Sequence, residues 1–135
     1  MSLNIANKKI TIIGLQKSGV AAAQLASMNG ADVFVSDLIE NEITKKNYKE
    51  LTDNNINCEI GKHTNRIFES DLWVVSPGVP KHIKIIKKAE SFDIKIIGEI
   101  EFASMFNSLP IIAVTGSNGK STTVNIIYDL SLIHI

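Results

Sequence analysis

The apolar residues of the chain fall into short runs rich in isoleucine and valine, separated by segments with apolar residues at helical spacing. Such alternation is typical of parallel strands connected by helices. We predict strands at residues 9–15, 32–36, 57–60, 72–76, 95–97 and 111–115, and helices at residues 19–29, 42–54, 82–92, 99–106 and from 120 onward. The predicted fold class is therefore α/β, with a doubly wound, mostly parallel sheet.

A polar break at residues 107–110 precedes the last predicted strand and indicates a domain boundary. We expect a Rossmann-like domain over residues 1–107, followed at 108–135 by the first strand, phosphate loop and helix of a second α/β domain. Residues 128–135 stay apolar and lack a glycine stop or polar cap. We therefore expect the chain to be truncated, the first part of a longer protein.

The overall charge gives no reason to expect a nucleic acid or a membrane as partner. The chain has 14 basic and 14 acidic side chains and a formal net charge of zero, so no overall field attracts anions. The basic run at residues 81–88 alternates with isoleucine, which is typical of an amphipathic helix with a solvated face. No apolar stretch approaches the roughly 18 residues of a membrane span.

Cysteine and histidine are too sparse to suggest a disulfide framework or a metal cluster. Cys58 is the single cysteine, which indicates a reducing cytoplasm as the location. His63, His82 and His134 share no ligand spacing, and we interpret them as core or surface residues. For the oligomeric state we expect a monomer.

The strongest chemical signal lies at residues 111–123, where an apolar run enters a glycine loop. Gly116 and Gly119 let backbone N–H groups turn toward one anion, Lys120 adds a positive charge, and the Ser121 hydroxyl can ligate Mg²⁺. The common G-x-x-x-x-G-K-[ST] pattern would place a glycine at Val114, so this loop is a shorter variant. The predicted ATP-binding residues are Thr115, Gly116, Ser117, Asn118, Gly119, Lys120, Ser121 and Thr122. The alternative is an ordinary Gly-Ser-Asn-Gly turn.

The first glycine loop along the chain, Gly14 to Gly19, follows the first predicted strand, where a Rossmann fold holds its pyrophosphate. Gln16 replaces the middle glycine of the dinucleotide pattern and should obstruct a dinucleotide. Asp37, at the end of the second strand, is placed to meet a ribose hydroxyl or a base edge. The alternative is a plain turn in which Gly14 and Gly19 serve packing and Asp37 is a solvated turn residue or a helix cap.

A third candidate loop, residues 76–80, reads Ser-Pro-Gly-Val-Pro and follows a buried apolar run. It lies at the carboxyl end of a strand, the edge at which open α/β sheets bind ligands. Its two prolines make it stiff, so its backbone groups can line a pocket. We expect Trp73, within the preceding run, to fill the core and not to stack on a ligand.

Taken together, these motifs resemble the Mur ligases of peptidoglycan synthesis, and within them the branch that adds D-glutamate. The motifs are Gly14 to Gly19, Asp37, Ser76 to Pro80, Gly98 to Phe102 and Thr115 to Thr123. The resemblance implies that UDP-N-acetylmuramoyl-L-alanine is held by Leu15, Gln16, Lys17, Ser18, Asp37, Ser76, Pro77 and Gly78. It also implies a role in cell-wall growth, and thereby in cell shape and division.

The resemblance further implies an ATP-dependent ligation. The substrate carboxylate would attack the γ-phosphate to give an acyl phosphate, which the amine of D-glutamate then displaces to form an amide. Lys120 would neutralise charge on the transferred phosphate, and Ser121 would hold Mg²⁺. Since the resemblance covers only the first third of such an enzyme, we expect this chain alone to be inactive.

Two other functions remain open from the residues. One is a nicotinamide-dinucleotide-binding Rossmann domain whose phosphate-loop pattern is accidental, although Gln16 and the pair Lys120-Ser121 argue against it. The other is a module that binds a UDP-sugar without turnover. Ligand binding would discriminate among the three.

Overall fold

The computed structural model describes residues 4–80 and 84–133 and contains one parallel five-stranded sheet with the strand order β3-β2-β1-β4-β5. The strands are β1 (Lys9–Ile13), β2 (Asp32–Asp37), β3 (Asn57–Ile60), β4 (Leu72–Val75) and β5 (Lys95–Gly98). The helices are α1 (Lys17–Met28), α2 (Glu42–Asp53), α3 (Lys84–Ser91), α4 (Glu99–Ser104) and α5 (Lys120–Ile133). A short 3₁₀ helix, Asn65–Phe68, precedes β4.

The two faces of the sheet carry separate apolar clusters, because successive side chains of a strand point to opposite faces. In β1, Ile10 and Ile12 pack with residues of α1, α2 and α4. Ile13 packs on the other face with residues of the 3₁₀ helix and α3. The sheet is therefore covered on both sides, as expected for a doubly wound fold.

Trp73 anchors the second face. It is fully buried, its ring Nε1 donates to the carbonyl of Ile67 at 2.7 Å, and its ring packs against Phe68 with centroids 5.5 Å apart. A buried indole needs such an acceptor for its N–H. The prediction that Trp73 fills the core is confirmed.

The predicted fold class is confirmed, but the predicted strand at residues 111–115 is wrong. Ile111 and Ile112 are 61% and 71% exposed, and no strand among the described residues pairs with this segment. A strand requires backbone partners as well as apolar side chains. The 3₁₀ helix Asn65–Phe68 was not predicted from the sequence. The predicted helix at 82–92 is observed over Lys84–Ser91, and residues 82 and 83 lie outside the described part.

The strand order places the ligand-binding edge of the sheet at β1. From β1 the chain winds outward through β2 and β3 on one side, then crosses to β4 and β5 on the other. In open α/β sheets, ligands bind at the carboxyl ends of the strands where the winding reverses. The loops that follow β1, β2 and β4 meet at this point.

Candidate functional site

A cleft of about 290 Å³ lies at the carboxyl ends of the central strands. It is lined by residues of the loops after β1, β2, β3 and β4: Ile13, Gly14, Gln16, Ser36, Asp37, Leu38, Ile39, His63, Ser76, Gly78, Val79 and Pro80. Four of the eight residues predicted to hold a UDP-linked substrate therefore line one cleft: Gln16, Asp37, Ser76 and Gly78. Apolar walls with a few polar groups are typical of sites for small ligands.

The first glycine loop, Gly14 to Gly19, is held in place by hydrogen bonds at Leu15. The Leu15 N–H donates to Asp37 Oδ2 at 2.7 Å, and the Leu15 carbonyl accepts from Asn47 Nδ2 at 2.9 Å. Asp37 also binds the loop after β2, since its Oδ1 accepts from the Ile39 N–H at 2.8 Å. Asp37 thus organises two loops of the cleft, and its carboxylate keeps further acceptor capacity for a ligand. With both backbone groups engaged and its side chain buried, Leu15 positions the loop.

The glycines of this loop are required by close packing. A Cβ on Gly19 would lie 2.1 Å from the carbonyl oxygen of Gly14, and a Cβ on Gly14 would lie 2.7 Å from Cβ of Ser76. Gly14 also has φ +114°, in the region that favours glycine. The packing role considered for these glycines is therefore confirmed, and it brings the loops after β1 and β4 together.

The N-terminal end of α1 borders the cleft and favours an anion. Gln16, Lys17 and Ser18 are exposed, the Gln16 side chain makes no capping hydrogen bond, and the first turn contains no acidic residue. The free N–H groups of a first turn and the helix dipole attract negative charge. This end of α1 is thus suited to a phosphate group, as the sequence predicts for the loop.

A polar network lies beside Asp37, where β2 and β3 end. Ser36 is opposite Glu59 in the strand register, and its hydroxyl lies 2.6 Å from Glu59 Oε1 and 2.6 Å from His63 Nδ1. Thr64 donates to the same carboxylate from its N–H at 2.9 Å and from its Oγ1 at 2.8 Å.

Burial and hydrogen bonding set the ionisation of this network. Burial lowers the pKa of His63, against the attraction of Glu59 and Asp37 for its charged form. Burial of Glu59 alone would raise its pKa, but the hydrogen bonds from Ser36 and Thr64 outweigh burial and lower it. The network therefore combines a neutral imidazole with an ionised carboxylate.

The sequence does not predict this network, since His63 shares no ligand spacing with the other histidines and is interpreted from the sequence as a core or surface residue. The available signal was positional: Gly61 and His63 directly follow a strand, at the same sheet edge as the other two loops. Polar residues at that edge tend to meet ligands. The other two histidines, His82 and His134, lie outside the described residues.

The predicted ATP loop has a turn geometry that suits a phosphate. Gly116 and Gly119 have φ of +153° and +76°, and α5 begins at Lys120 directly after Gly119. The Lys120 ammonium donates to the Gly116 carbonyl, so the loop curls around its own lysine. Residues 115–122 are exposed, and none of them lines the cleft. Their ammonium and hydroxyl groups fit the chemistry of a nucleotide phosphate.

A larger cavity, of about 590 Å³, lies next to the cleft between the ends of β4 and β5. It shares Ser76, Val79 and Pro80 with the cleft, and Pro77 also lines it. The loop after β4 therefore forms a wall common to both cavities. A ligand longer than a nucleoside can extend from one into the other along this loop.

The fold alone defines a Rossmann-like α/β protein. SirC, a precorrin-2 dehydrogenase, superposes with a TM-score of 0.52 at 14% identity over 97% of this chain and 68% of its own. The TrkA-N domain of an inner membrane protein of Escherichia coli gives 0.51 at 14% identity, covering 95% of this chain and 98% of that domain. At such identities the likeness concerns the fold only.

Sequence comparison is more specific. The model of the family described as "Mur ligase MurD-like, N-terminal domain" matches residues 8–98. A UDP-N-acetylmuramoylalanine–D-glutamate ligase of Geobacter sp. (strain M21) is 42% identical over 125 residues, 92% of this chain and 28% of that protein. The ligase of the same name from Christiangramia forsetii is 44% identical over 125 residues, 91% of this chain and 27% of its own length. The chain belongs to the MurD-like family of Mur ligase N-terminal domains, and it spans just over a quarter of the length of these relatives.

Within residues 4–80 and 84–133, no group of three or more His, Cys, Asp or Glu side chains is placed to hold a metal ion. Over the same residues, none of the helices has the length and apolar content needed to cross a membrane.

Proposed function

We propose that the cleft binds the UDP end of UDP-N-acetylmuramoyl-L-alanine. The observation that carries this proposal is the meeting of the loops after β1, β2 and β4 in one cleft at the reversal of strand winding. The diphosphate would lie at the first turn of α1, beside Lys17 and Ser18. The nucleoside would occupy the cleft, and the sugar would extend along Ser76 to Gly78 toward the larger cavity.

A matched pair of substitutions on α1 tests this placement. Ser18→Glu puts a carboxylate where the diphosphate would lie, and Ser27→Glu puts the same group in the last turn of the same helix. By the helix dipole, a carboxylate stabilises the first turn and destabilises the last by about 0.3–1 kcal/mol. Weaker binding in Ser18→Glu can therefore not be ascribed to a less stable helix.

The measurement is a calorimetric titration of the chain with UDP-N-acetylmuramoyl-L-alanine, with NADH and ATP–Mg²⁺ as parallel ligands. We expect saturable binding of the UDP-sugar to the unsubstituted chain and to Ser27→Glu, and binding at least about tenfold weaker to Ser18→Glu, given the worth of charge-assisted contacts. Equal affinities in the two variants would contradict the placement. Binding of NADH in place of the UDP-sugar would favour the nicotinamide alternative.

We also propose that residues 108–135 begin an ATP-binding domain, whose boundary with the UDP-binding domain lies at residue 107. The turn at Gly116 to Gly119 and the start of α5 would hold the phosphates, with Ser121 as one ligand of Mg²⁺. ATP with Mg²⁺ supplies a transferable phosphoryl group. The Lys120 ammonium would stabilise negative charge on that group.

For the longer protein we propose the ligation of D-glutamate to UDP-N-acetylmuramoyl-L-alanine in the cytoplasm. The substrate carboxylate accepts the phosphoryl group, and the amine of D-glutamate displaces phosphate to leave an amide. The names of the relatives support this activity, although the chain covers only 28% of the Geobacter protein. We therefore expect the 135-residue chain to bind substrate without turnover. Phosphate release that depends on both the UDP-sugar and D-glutamate would contradict this expectation.

A further inference from the structure

The sequence contains two Asn-Gly pairs, and the structure places them at opposite ends of two helices. Asn29-Gly30 follows the last residue of α1, whereas Asn118-Gly119 directly precedes the first residue of α5. In an Asn-Gly pair the backbone nitrogen of the second residue can reach the side-chain amide of the first, because glycine has no Cβ to shield that nitrogen. The two pairs are chemically alike, so any difference in their reactivity comes from their surroundings.

Both reactive groups of Asn29-Gly30 are engaged in hydrogen bonds. The Asn29 side-chain amide donates from Nδ2 to the Leu25 carbonyl at 2.8 Å. The Gly30 N–H donates to the Ser27 carbonyl at 3.0 Å. Because both groups are tied to carbonyls of α1, the Gly30 nitrogen cannot turn onto the Asn29 amide until this end of the helix unfolds locally.

Asn118-Gly119 has neither restraint. Both residues are exposed, and within the described ranges 4–80 and 84–133 no hydrogen bond engages the Asn118 side-chain amide or the Gly119 N–H. The start of α5 uses only the Gly119 carbonyl, which accepts from the Thr123 N–H at 2.9 Å and from Thr123 Oγ1 at 3.0 Å. The nitrogen of Gly119 can therefore approach the Asn118 amide without breaking a contact of the helix.

The helix dipoles increase the contrast between the two pairs. The nucleophile of an Asn-Gly pair is the backbone nitrogen after loss of its proton, and it carries negative charge. The N-terminal end of α5, where Gly119 lies, stabilises such a charge, whereas the C-terminal end of α1, where Gly30 lies, disfavours it. The dipoles and the hydrogen bonds therefore act in the same direction.

We propose that Asn118 is a site of spontaneous deamidation and that the structure protects Asn29 from the same reaction. The Gly119 nitrogen gives its proton to the solvent and attacks Cγ of Asn118. The new N–Cγ bond closes a succinimide ring as the Cγ–Nδ2 bond breaks, and the amide nitrogen takes up a proton and leaves as ammonia. Water then opens the ring at either carbonyl, to give aspartate or isoaspartate. In the net reaction water is consumed and ammonia is released.

The product places a carboxylate in the loop that now has a neutral amide. Gly116 and Lys120 of the same loop are proposed to hold the phosphates of ATP, so the added negative charge should weaken the binding of a phosphate there. The isoaspartyl form also adds a methylene carbon to the main chain, which alters the turn. This consequence rests on the proposed ATP-binding function, whereas the deamidation itself does not, and its test needs no nucleotide.

The test follows both Asn-Gly pairs in one sample. The folded chain is incubated at mildly alkaline pH, digested with pepsin at acid pH to stop the reaction, and analysed by mass spectrometry for the exchange of an amide for a carboxyl group. Fragmentation distinguishes aspartate from isoaspartate. The control variant is Gly119→Ala, whose Cβ shields the attacking nitrogen and meets no atom within 4 Å. A parallel incubation in guanidinium chloride removes the structural difference between the pairs.

In the folded chain we expect Asn118 to deamidate at least about tenfold faster than Asn29, with both aspartate and isoaspartate as products. Gly119→Ala should slow the reaction at Asn118 and leave Asn29 unchanged. In guanidinium chloride the two rates should approach each other. The proposal would be overturned by equal rates in the folded chain, by faster reaction at Asn29, by aspartate without isoaspartate, by an unchanged rate in Gly119→Ala, or by a rate ratio that persists in the unfolded chain.

Discussion

The two glycine loops of the chain resemble each other in sequence and differ in how the structure holds them. Each ends with a Lys-Ser pair that starts a helix: Lys17-Ser18 begins α1, and Lys120-Ser121 begins α5. The first loop is tied to β2 and α2 through Leu15 and packs against the loop after β4. The second loop is exposed, and α5 has no buried residue. A loop motif thus specifies a local turn, whereas its rigidity comes from neighbouring elements.

The largest expected effect is that of an alanine in the first loop. Gly19→Ala would drive a Cβ to 2.1 Å from the Gly14 carbonyl oxygen, a backbone atom that cannot move without displacing β1. We expect a loss of more than about 4 kcal/mol in the free energy of unfolding, or no folded protein at all. Circular dichroism with urea unfolding measures this.

Two further glycines provide the control for that substitution. A Cβ on Gly119 of the second loop, or on Gly78 in the loop after β4, meets no atom within 4 Å. Gly119→Ala carries the local strain of φ +76°, about 1 kcal/mol, and should leave the unfolding of the sheet unchanged. Gly78→Ala should also fold normally. If Gly19→Ala were as stable as Gly78→Ala, the first loop would not be packed as described.

The next effect concerns the carboxylate that joins two loops of the cleft. In Asp37→Asn a single side-chain oxygen remains to accept hydrogen bonds from the N–H groups of Leu15 and Ile39. The amide NH₂ group then faces one of these two N–H groups, so that donor loses its acceptor. We expect a loss of about 1–3 kcal/mol in the free energy of unfolding, together with weaker binding of the UDP-sugar. Urea unfolding and calorimetry measure the two effects.

Asp71→Asn is the matched control for that carboxylate. Asp71 accepts from the Lys9 N–H at 2.8 Å at the opposite edge of the sheet, far from the cleft. The substitution Asp71→Asn should lower the free energy of unfolding without altering the affinity for the UDP-sugar. Equal effects of the two substitutions on binding would show that Asp37 acts only through overall stability.

Proteolysis compares the two loops directly, because trypsin can cut the same Lys-Ser bond in each. Cleavage requires local unfolding of the segment around the bond, and such unfolding is rarer where hydrogen bonds and packing hold the backbone. We expect Lys120-Ser121 to be cut at least about tenfold faster than Lys17-Ser18. Mass spectrometry of a time course gives both rates. Equal rates would mean that the second loop is held as firmly as the first.

The smallest expected effect is the dependence of stability on pH. The folded pKa of His63 lies below its ordinary value of 6.5, so the unfolded chain takes up the proton first. The free energy of unfolding should therefore decline as pH falls below about 6.5. Glu59, whose pKa is lowered from 4.5, contributes stability that is lost only at still lower pH. Residues 107–133 contain no histidine, so this decline should arise within residues 1–106.

Urea unfolding at pH 7.5 and 5.5 measures the decline, and His63→Gln should reduce it. The control is the same comparison for His63→Gln with Glu59→Gln added, in which both titrating groups of the network are removed. An unchanged slope in His63→Gln would assign the pH dependence to other groups.

The sequence by itself determined the parallel α/β fold, most element positions and the three loops of the candidate site. Short apolar runs and helical apolar spacing, together with glycines at fixed positions, act locally, so they can be interpreted without knowledge of the partners. Asn57–Ile60 was predicted with the bounds observed, and Gly14 and Gly19 were recognised as turn residues.

Only the tertiary structure decided what depends on neighbours distant in sequence. The apolar run at residues 111–115 has the composition of a strand but forms none in the described chain, because pairing requires a partner strand beside it. Ser36 and Glu59 are 23 residues apart and meet only through the register of β2 with β3, which also brings His63 to the cleft. The hydrogen bonds that join Ser36 to Glu59 and His63 arise from that register, and no local pattern in the sequence encodes it.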